Sequence, residues 1–485
     1  MISYLHIIYF FIVIIHVFSY HLPVSKCPEE DSLRKCLDQY YVKGPVHFRD
    51  NFVAYNKDLN KQFNKRIIIH FPVAFVHPID VLDVQNTIKC AIKLTYPIVA
   101  RSGGHSFEGY GLGDKDCYLI VDLVNLNKIT IDITAQTAVV GTGNLIDKFY
   151  YEVNQLGFAF PAGSCPYVGV GGLIMGGGLG FLNRKFGLSS DNILDAQIVL
   201  ANGTVVYNVK NYPELLWAIR GAGNAGYGIV TDLTLRIYPI QKVISSFYFE
   251  YDFDQIPLVF LLMHQLGSNL HQNLTTTIII NSNSTTIHGV YLGSTSKLQY
   301  HMKEFIKLST PKNISYIENN WYNTIIGDQK ESEDKASVKL KSFFIDSKGL
   351  SNEGFKSLMK FSRNFRCEII STATLIGGGQ INEIRRHETA FVHRGFLFEM
   401  TIIATLNSEN NICLQELEKF SQEFQRNYTS YEGYQNIIDR QLDNWQCRYY
   451  GENFERLVEI KRKYDPYNLF HWNQSIPTNT KISCI

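Results

Sequence analysis

The stretch PAGSCPYVGVGGLIMGGGLG, from Pro161 to Gly180, decides how the rest of the chain is read. Its glycines let a backbone approach a ligand closely and adopt φ > 0. Successive exposed N–H groups in such loops form concavities suited to phosphate. Two segments of the same character flank it: RSGGHSFEGYGLG (Arg101–Gly113) and GAGNAGYGIV (Gly221–Val230). One such loop reads as readily as a tight turn; three in one region point to a large phosphate-bearing cofactor. The run from Gly221 to Gly226 is literally G-x-G-x-x-G. The nicotinamide version needs a strand before it and a helix after it. Here a helical ELLWAIR precedes and a β-rich IVTDLTLRIYP follows, so that reading is rejected.

Outward from these loops, the chain has 485 residues, 45% hydrophobic, 13% aromatic and 19% charged. That composition excludes a disordered chain, and the length suggests about three domains, or two large ones. With 46 Lys+Arg against 45 Asp+Glu, the formal charge is +1, which gives no electrostatic case for a nucleic-acid partner. Met1 to Ser19 is almost wholly apolar and reads as a signal peptide cleaved near Ser19, although no Lys or Arg precedes the apolar run. No second run of spanning length follows, so no stable membrane insertion is expected after cleavage. Sequons at Asn202, Asn273, Asn283, Asn313, Asn427 and Asn473 fit export. The nine cysteines are an odd number, and Cys36 and Cys90 are candidates for one bridge.

Between 67 and 241, short β-branched runs alternate with helical patterns. VLDVQNTIKCAIKLT has apolar residues at helical spacing, and NLIDKFYYEVNQLG reads as a helix stopped at Gly157. AQIVLANGTVVYNV reads as a hairpin turning at Asn202-Gly203. From 242 to 428, SSFYFEYDF, TTTIIINS, TTIHGVYLG, VKLKSFFID and GFLFEMTIIATL predict an antiparallel sheet, with KLQYHMKEFIKL and EGFKSLMKFSRNF as covering helices. The tail returns to helix in CLQELEKFSQEFQRNY and ENFERLVEIKRKYDP.

His105 and Cys165 each sit inside a glycine loop. A lone His is ordinarily a surface or hydrogen-bonded residue. A lone Cys is a small buried hydrophobe or half a disulfide. No Cys-x2-Cys or His-x3-His partner pattern supports zinc, so no metal is expected. Spacing by itself leaves the role of both residues open.

The segments RSGGHS, PAGSCPYVGVGG, RKFGLSSDNILDAQIVLANG and ELLWAIRGAGNAGYGIVT, with YQNIID and YYGENFERLVEIKRKYDPYNLFHWNQSIP in the tail, resemble the berberine bridge enzyme-like family. These are secreted FAD-linked oxidases of the vanillyl-alcohol-oxidase superfamily. The resemblance runs from about Ala74 to Pro477 and implies an α+β fold. A PCMH-type FAD-binding domain of two α/β subdomains (67–241) would be completed by the tail (429–478). A substrate domain with a helix-covered antiparallel sheet (242–428) would lie between.

The resemblance also implies bicovalent FAD, with His105 and Cys165 at the positions that bond the isoalloxazine ring. This would account for the odd cysteine. Arg101, Ser102, Gly103, Gly104 and Ser106, with the amides of Gly169, Gly171 and Gly172, would lie near the pyrophosphate or ring. Gly228 and Ile229 would be further cofactor contacts, Ile229 at the adenine or ring edge. Tyr434, in the segment with Asn436, corresponds to a catalytic base. Its ordinary pKa near 10 then requires support from charge or hydrogen bonds. Where the family often places Gln or Glu facing the substrate, a segment one residue shorter leaves Thr401 or Glu399. That makes a carboxylate base for alkaloid ring closure doubtful, and Thr401 is taken as the site residue. Val168, at a position where a small residue accompanies access of O2, favours an oxidase releasing hydrogen peroxide.

The reading is therefore a secreted, monomeric oxidase of a CH–OH group. A sugar or oligosaccharide is the first expected substrate, an aromatic alcohol or secondary metabolite the second. A catalytically silent flavin-binding protein is the rival of another class.

Overall fold

The structure, a computed structural model, describes residues 26–66, 70–267, 269–282, 284–327, 337–375, 377–406, 411–480 and 482–484. The expected signal peptide and the sequon at Asn283 lie outside the described residues, as do 67–69, the start of the expected strand IIIHFPVAFVHP.

The first sheet is built from Val46–Phe48, Ala74–Val76, Leu119–Asp122 and Ile98–Arg101, in that spatial order. Its last three strands are parallel. Parallel neighbours require crossovers, and the helix Val81–Leu94 supplies one. The Asp80 side chain caps that helix by accepting from the Asp83 N–H at 3.0 Å. The Val46–Phe48 end of the first sheet is not legible in sequence. Residues 26–66, read as lying ahead of the cofactor domain, contribute a strand to it and helices Glu30–Gln39 and Phe52–Leu59 beside it. Disulfides Cys27–Cys117 and Cys36–Cys90 staple this segment down.

The second sheet is antiparallel, in the order Ile129–Asp132, Thr137–Gly141, Gly228–Arg236, Ile193–Leu200, Val205–Val206. The expected hairpin turns at Asn202-Gly203, where Gly203 has φ +78°. The helix Pro213–Ala222 breaks at Arg220-Gly221 because Gly221 has φ +120° and its backbone lies against Phe391. The strand Gly228–Arg236 follows directly, so the G-x-G-x-x-G run has the helix-then-strand order that excludes a Rossmann turn.

The third sheet has seven antiparallel strands, Asn313–Asn319 at one edge and Val338–Asp346 at the other. Sequence patterning gives five of them. It misses Asn313–Asn319, an exposed edge with little apolar alternation. It also misses Ile369–Leu375, whose middle, Ser371 to Thr374, has no large apolar residue. Period-2 alternation sorts the two faces. Phe247, Phe249, Ile278, Ile280, Ile287, Phe398, Met400 and Ile402 point into one core under helices Ile256–Gly267, Thr295–Ser309, Asn352–Asn364 and Asn411–Tyr428. The opposite face presents Tyr248, Thr277, Ile279, His288, Thr372, Thr374 and Glu399 to a cavity.

The tail runs back from the third sheet to the first two. Helix Phe454–Tyr464 buries Lys461, whose ammonium donates to Gly226 O, Phe470 O and Asp465. Phe470 joins the core of the first sheet. No helix among the described residues is long and apolar enough to cross a membrane.

Candidate functional site

A cavity of about 760 Å³ lies where the three large sheets and the tail meet. The strand Ile98–Arg101 delivers the loop Ser102–Ser106 to its wall, and helix Val170–Met175 delivers the loop containing Cys165 and Val168. The two loops touch through glycine. A Cβ on Gly103 would lie 2.4 Å from Gly169 N, so no side chain fits at that contact. Ser102 ties its loop to the second sheet by donating its hydroxyl to Thr142 O at 2.5 Å.

Of the nine cysteines, eight form Cys27–Cys117, Cys36–Cys90, Cys367–Cys413 and Cys447–Cys484. Cys165 is the free one. Its Sγ lies 3.8 Å from His105 Nε2, on the cavity wall. His105 stacks on Phe63 at 3.8 Å between centroids and meets Phe107 edge-on. Burial drives the His105 pKa down to about 4, so the imidazole is neutral. Burial also pushes the Cys165 thiol up.

Arg101, Ser102, Gly103, Gly104 and Ser106 line the cavity, as do Gly169, Gly171, Gly172 and Gly228. The Arg101 guanidinium turns away to Asp122 at 2.6 Å and Asp58 O at 2.7 Å. Asp58 also takes His47, His77 and Lys61, so one buried carboxylate gathers several polar partners beside the loop. Ile229 is the exception. It occupies the odd position between Gly228 and Val230, which face the cavity, and its side chain enters the core with Val199 and Phe470. Strand alternation therefore turns the Ile229 side chain away from the cavity and leaves only its backbone between two cavity-lining residues.

Tyr434 and Asn436 line the opposite wall. The Tyr434 oxygen accepts from Gly178 N at 2.8 Å, Leu179 N at 3.3 Å and Asn436 Nδ2 at 2.9 Å. Burial nevertheless pushes its phenol up, a nearby Glu399 adds to this, and the three donors oppose it. Thr401 shares a strand face with Glu399 but does not reach the cavity; its hydroxyl donates to Glu399 Oε1 at 2.7 Å. Of the two residues expected near this position, Thr401 and Glu399, it is Glu399 that faces the cavity. Glu399 is on the wall, and burial raises its pKa to about 7 against hydrogen bonds from Thr401 and Ser342.

Some wall residues escaped sequence reading altogether. His288 stacks on Tyr248 at 4.4 Å and meets Phe181 edge-on at 5.1 Å. Their strand parity was the available signal. Trp472 and Gln474 arrive from the tail, which no local pattern foretells.

A family model described as "FAD binding domain" matches residues 72–207, and one described as "Berberine and berberine like" matches 433–477. Tetrahydroberberine oxidase of Berberis wilsoniae is 30% identical, over 94% of this chain and 95% of its own. The chain belongs to the berberine bridge enzyme-like family. The solved structure of BBE-like 1 of Physcomitrella patens superposes with a TM-score of 0.86 at 31% identity, covering 92% of this chain and 99% of the other. A chitooligosaccharide oxidase has the same fold, with a TM-score of 0.86 at 24% identity, covering 93% and 100%. The fold is accordingly the family's α+β fold, and the chain is an FAD-linked oxidoreductase.

The residues present fit such a cofactor. A Cβ on Gly172 would meet nothing within 4 Å and would project into the cavity, so the wall is shaped for something other than its own side chains. Glycine backbone at one end and two nucleophilic side chains beside it suit a pyrophosphate and a ring system.

Proposed function

We propose that this family member is a secreted FAD-dependent oxidase of a CH–OH group, with the flavin held covalently by both His105 and Cys165. One observation carries this: the single free cysteine lies 3.8 Å from a neutral imidazole on the wall of one large cavity. FAD, when bound, accepts the hydride taken from the substrate carbon. The neutral His105 has a ring lone pair available for bonding, and its Nε2 lies 3.8 Å from the Cys165 thiol. Residues from both ends of the chain would form the cofactor part, and 242–428 the substrate part. The four disulfides support an oxidising compartment.

The substrate's hydroxyl proton is assigned to the Tyr434–Glu399 wall. Tyr434 is the candidate that touches the substrate oxygen, and its three N–H donors would support a phenolate. Glu399, with a pKa of about 7, carries the negative charge available near neutral pH. Thr401 acts through Glu399, by holding its carboxylate. Val168 on the cavity wall supports access of O2 and release of peroxide.

A sugar or oligosaccharide remains the first substrate class. Tyr248, His288 and Phe181 offer rings for stacking, and the paired hydroxyls of Thr277 and Thr374, 3.1 Å apart, offer hydrogen bonds. Glu399 favours a second reading, oxidation or oxidative cyclisation of an aromatic metabolite, because ring closure needs a carboxylate base. Aerobic peroxide release across neutral sugars and aromatic alcohols separates them. Turnover confined to aromatic compounds contradicts the sugar reading, and no turnover with normal flavin content contradicts both.

A further inference from the structure

The seven-stranded sheet has two edges, and they are treated differently. Along Val338–Asp346 the edge is covered: Val338 bonds the Asn64 side chain through both N and O, and Ser430 N donates to Phe344 O. Along Asn313–Asn319 the strand has, among the described residues, one paired neighbour, Ile244–Asp252, and six of its seven residues are exposed. Ile314 is 44% exposed and Ile317 50%. An open strand edge that carries exposed apolar side chains is a template for pairing with a second chain, and natural proteins guard such edges.

The strand begins with the sequon Asn313-Ile314-Ser315. Asn313 is exposed, and its Nδ2 donates to Glu250 Oε2 at 2.7 Å on the neighbouring strand. That nitrogen has two hydrogens, so it can lose one and keep the bond to Glu250. The sequon at Asn273 differs: its Nδ2 donates to Leu292 O at 3.1 Å, and its Oδ1 is buried without a partner.

We propose that Asn313 is an N-glycosylation site whose glycan guards the open sheet edge and keeps the chain monomeric. Asn313 Nδ2 forms a bond to the anomeric carbon of a lipid-pyrophosphate-linked oligosaccharide; the lipid pyrophosphate leaves and one amide proton is lost. Bulk and hydration at the strand's first residue then exclude a second strand from lying alongside. Asn273, with its amide turned inward, stays unmodified. This rests on the secretory reading of the chain.

The test uses the full chain secreted from a eukaryotic host. Glycopeptide mass spectrometry is expected to find Asn313 occupied and Asn273 bare. Light scattering after size exclusion is expected to give a monomer for the wild type. Asn313→Gln and Ser315→Ala, the second leaving the Asn313–Glu250 bond intact, should both shift to dimers or larger species as concentration rises. Adding Ile317→Lys to Asn313→Gln should restore the monomer. A bare Asn313 beside occupied exposed sequons overturns the proposal, as do sequon-less variants that stay monomeric. A chain with no glycan at any site contradicts the secretory reading itself.

Discussion

Glu399 joins the chemistry of the site to its pH dependence. Its folded pKa of about 7 lies above an ordinary 4.5, because burial penalises the carboxylate. Between those values the unfolded chain releases a proton that the folded chain keeps. Stability therefore falls as pH rises from 4.5 to 7, by about 3 kcal/mol in all, and stays low above it. Glu399→Gln should abolish that fall, seen by urea unfolding at pH 5 and pH 8. Turnover should run the other way: the wild-type kcat should rise about tenfold per unit below pH 7 and level above it, whereas the Gln variant is slow and flat. Tyr434→Phe should lower kcat by roughly 10²-fold or more with flavin content unchanged; full activity would remove Tyr434 from proton transfer. His105, Cys165 and Tyr434 were legible in sequence because each sits in an ordered motif. A motif match carries no strand parity, so it does not show that the Ile229 and Thr401 side chains lie off the cavity wall. Parity sends Ile229 into the core, and Thr401 lies one strand repeat beyond the wall residue Glu399.

Helices with strong apolar spacing, such as Val81–Leu94 and Ile146–Gln155, were readable to within a residue or two. What sequence could not show was where elements press together. Gly221 has φ +120°, and an added Cβ would lie 2.3 Å from Phe391 N, which fixes the break between helix and cofactor loop. Gly221→Ala should cost about 2 kcal/mol or more in urea unfolding, since both strained φ and overpacking act there. Gly172 is the contrast. Its Cβ meets nothing in the protein, so Gly172→Val should leave the fold intact but lower flavin content, measured as absorbance near 450 nm per protein. Loss of both together would mean that the position is structural.

The whole molecule is held together across its three parts by a buried ion knot that composition could not reveal. Lys339, on the third sheet, reaches Glu108 of the His105 loop and Asp439 of the tail, and Lys341 reaches Asp439 at 2.6 Å. Removing one partner strands the others in a dry setting, so Lys339→Met should destabilise by about 3 kcal/mol or more. This connection explains why neither end of the chain reads as a domain by itself: the loop, the tail and the third sheet share one buried set of charges, and Arg440 of the tail also donates directly to Glu108 O at 2.7 Å. Bicovalent attachment is the central claim, and one measurement tests it most directly. The purified protein is denatured in acid, digested, and its yellow peptides are weighed by mass spectrometry. The account predicts one flavin joining the peptide with His105 to the peptide with Cys165, and reduction to a single link in Cys165→Ala or His105→Ala. Flavin released entirely into the supernatant, or held by another residue, would contradict it.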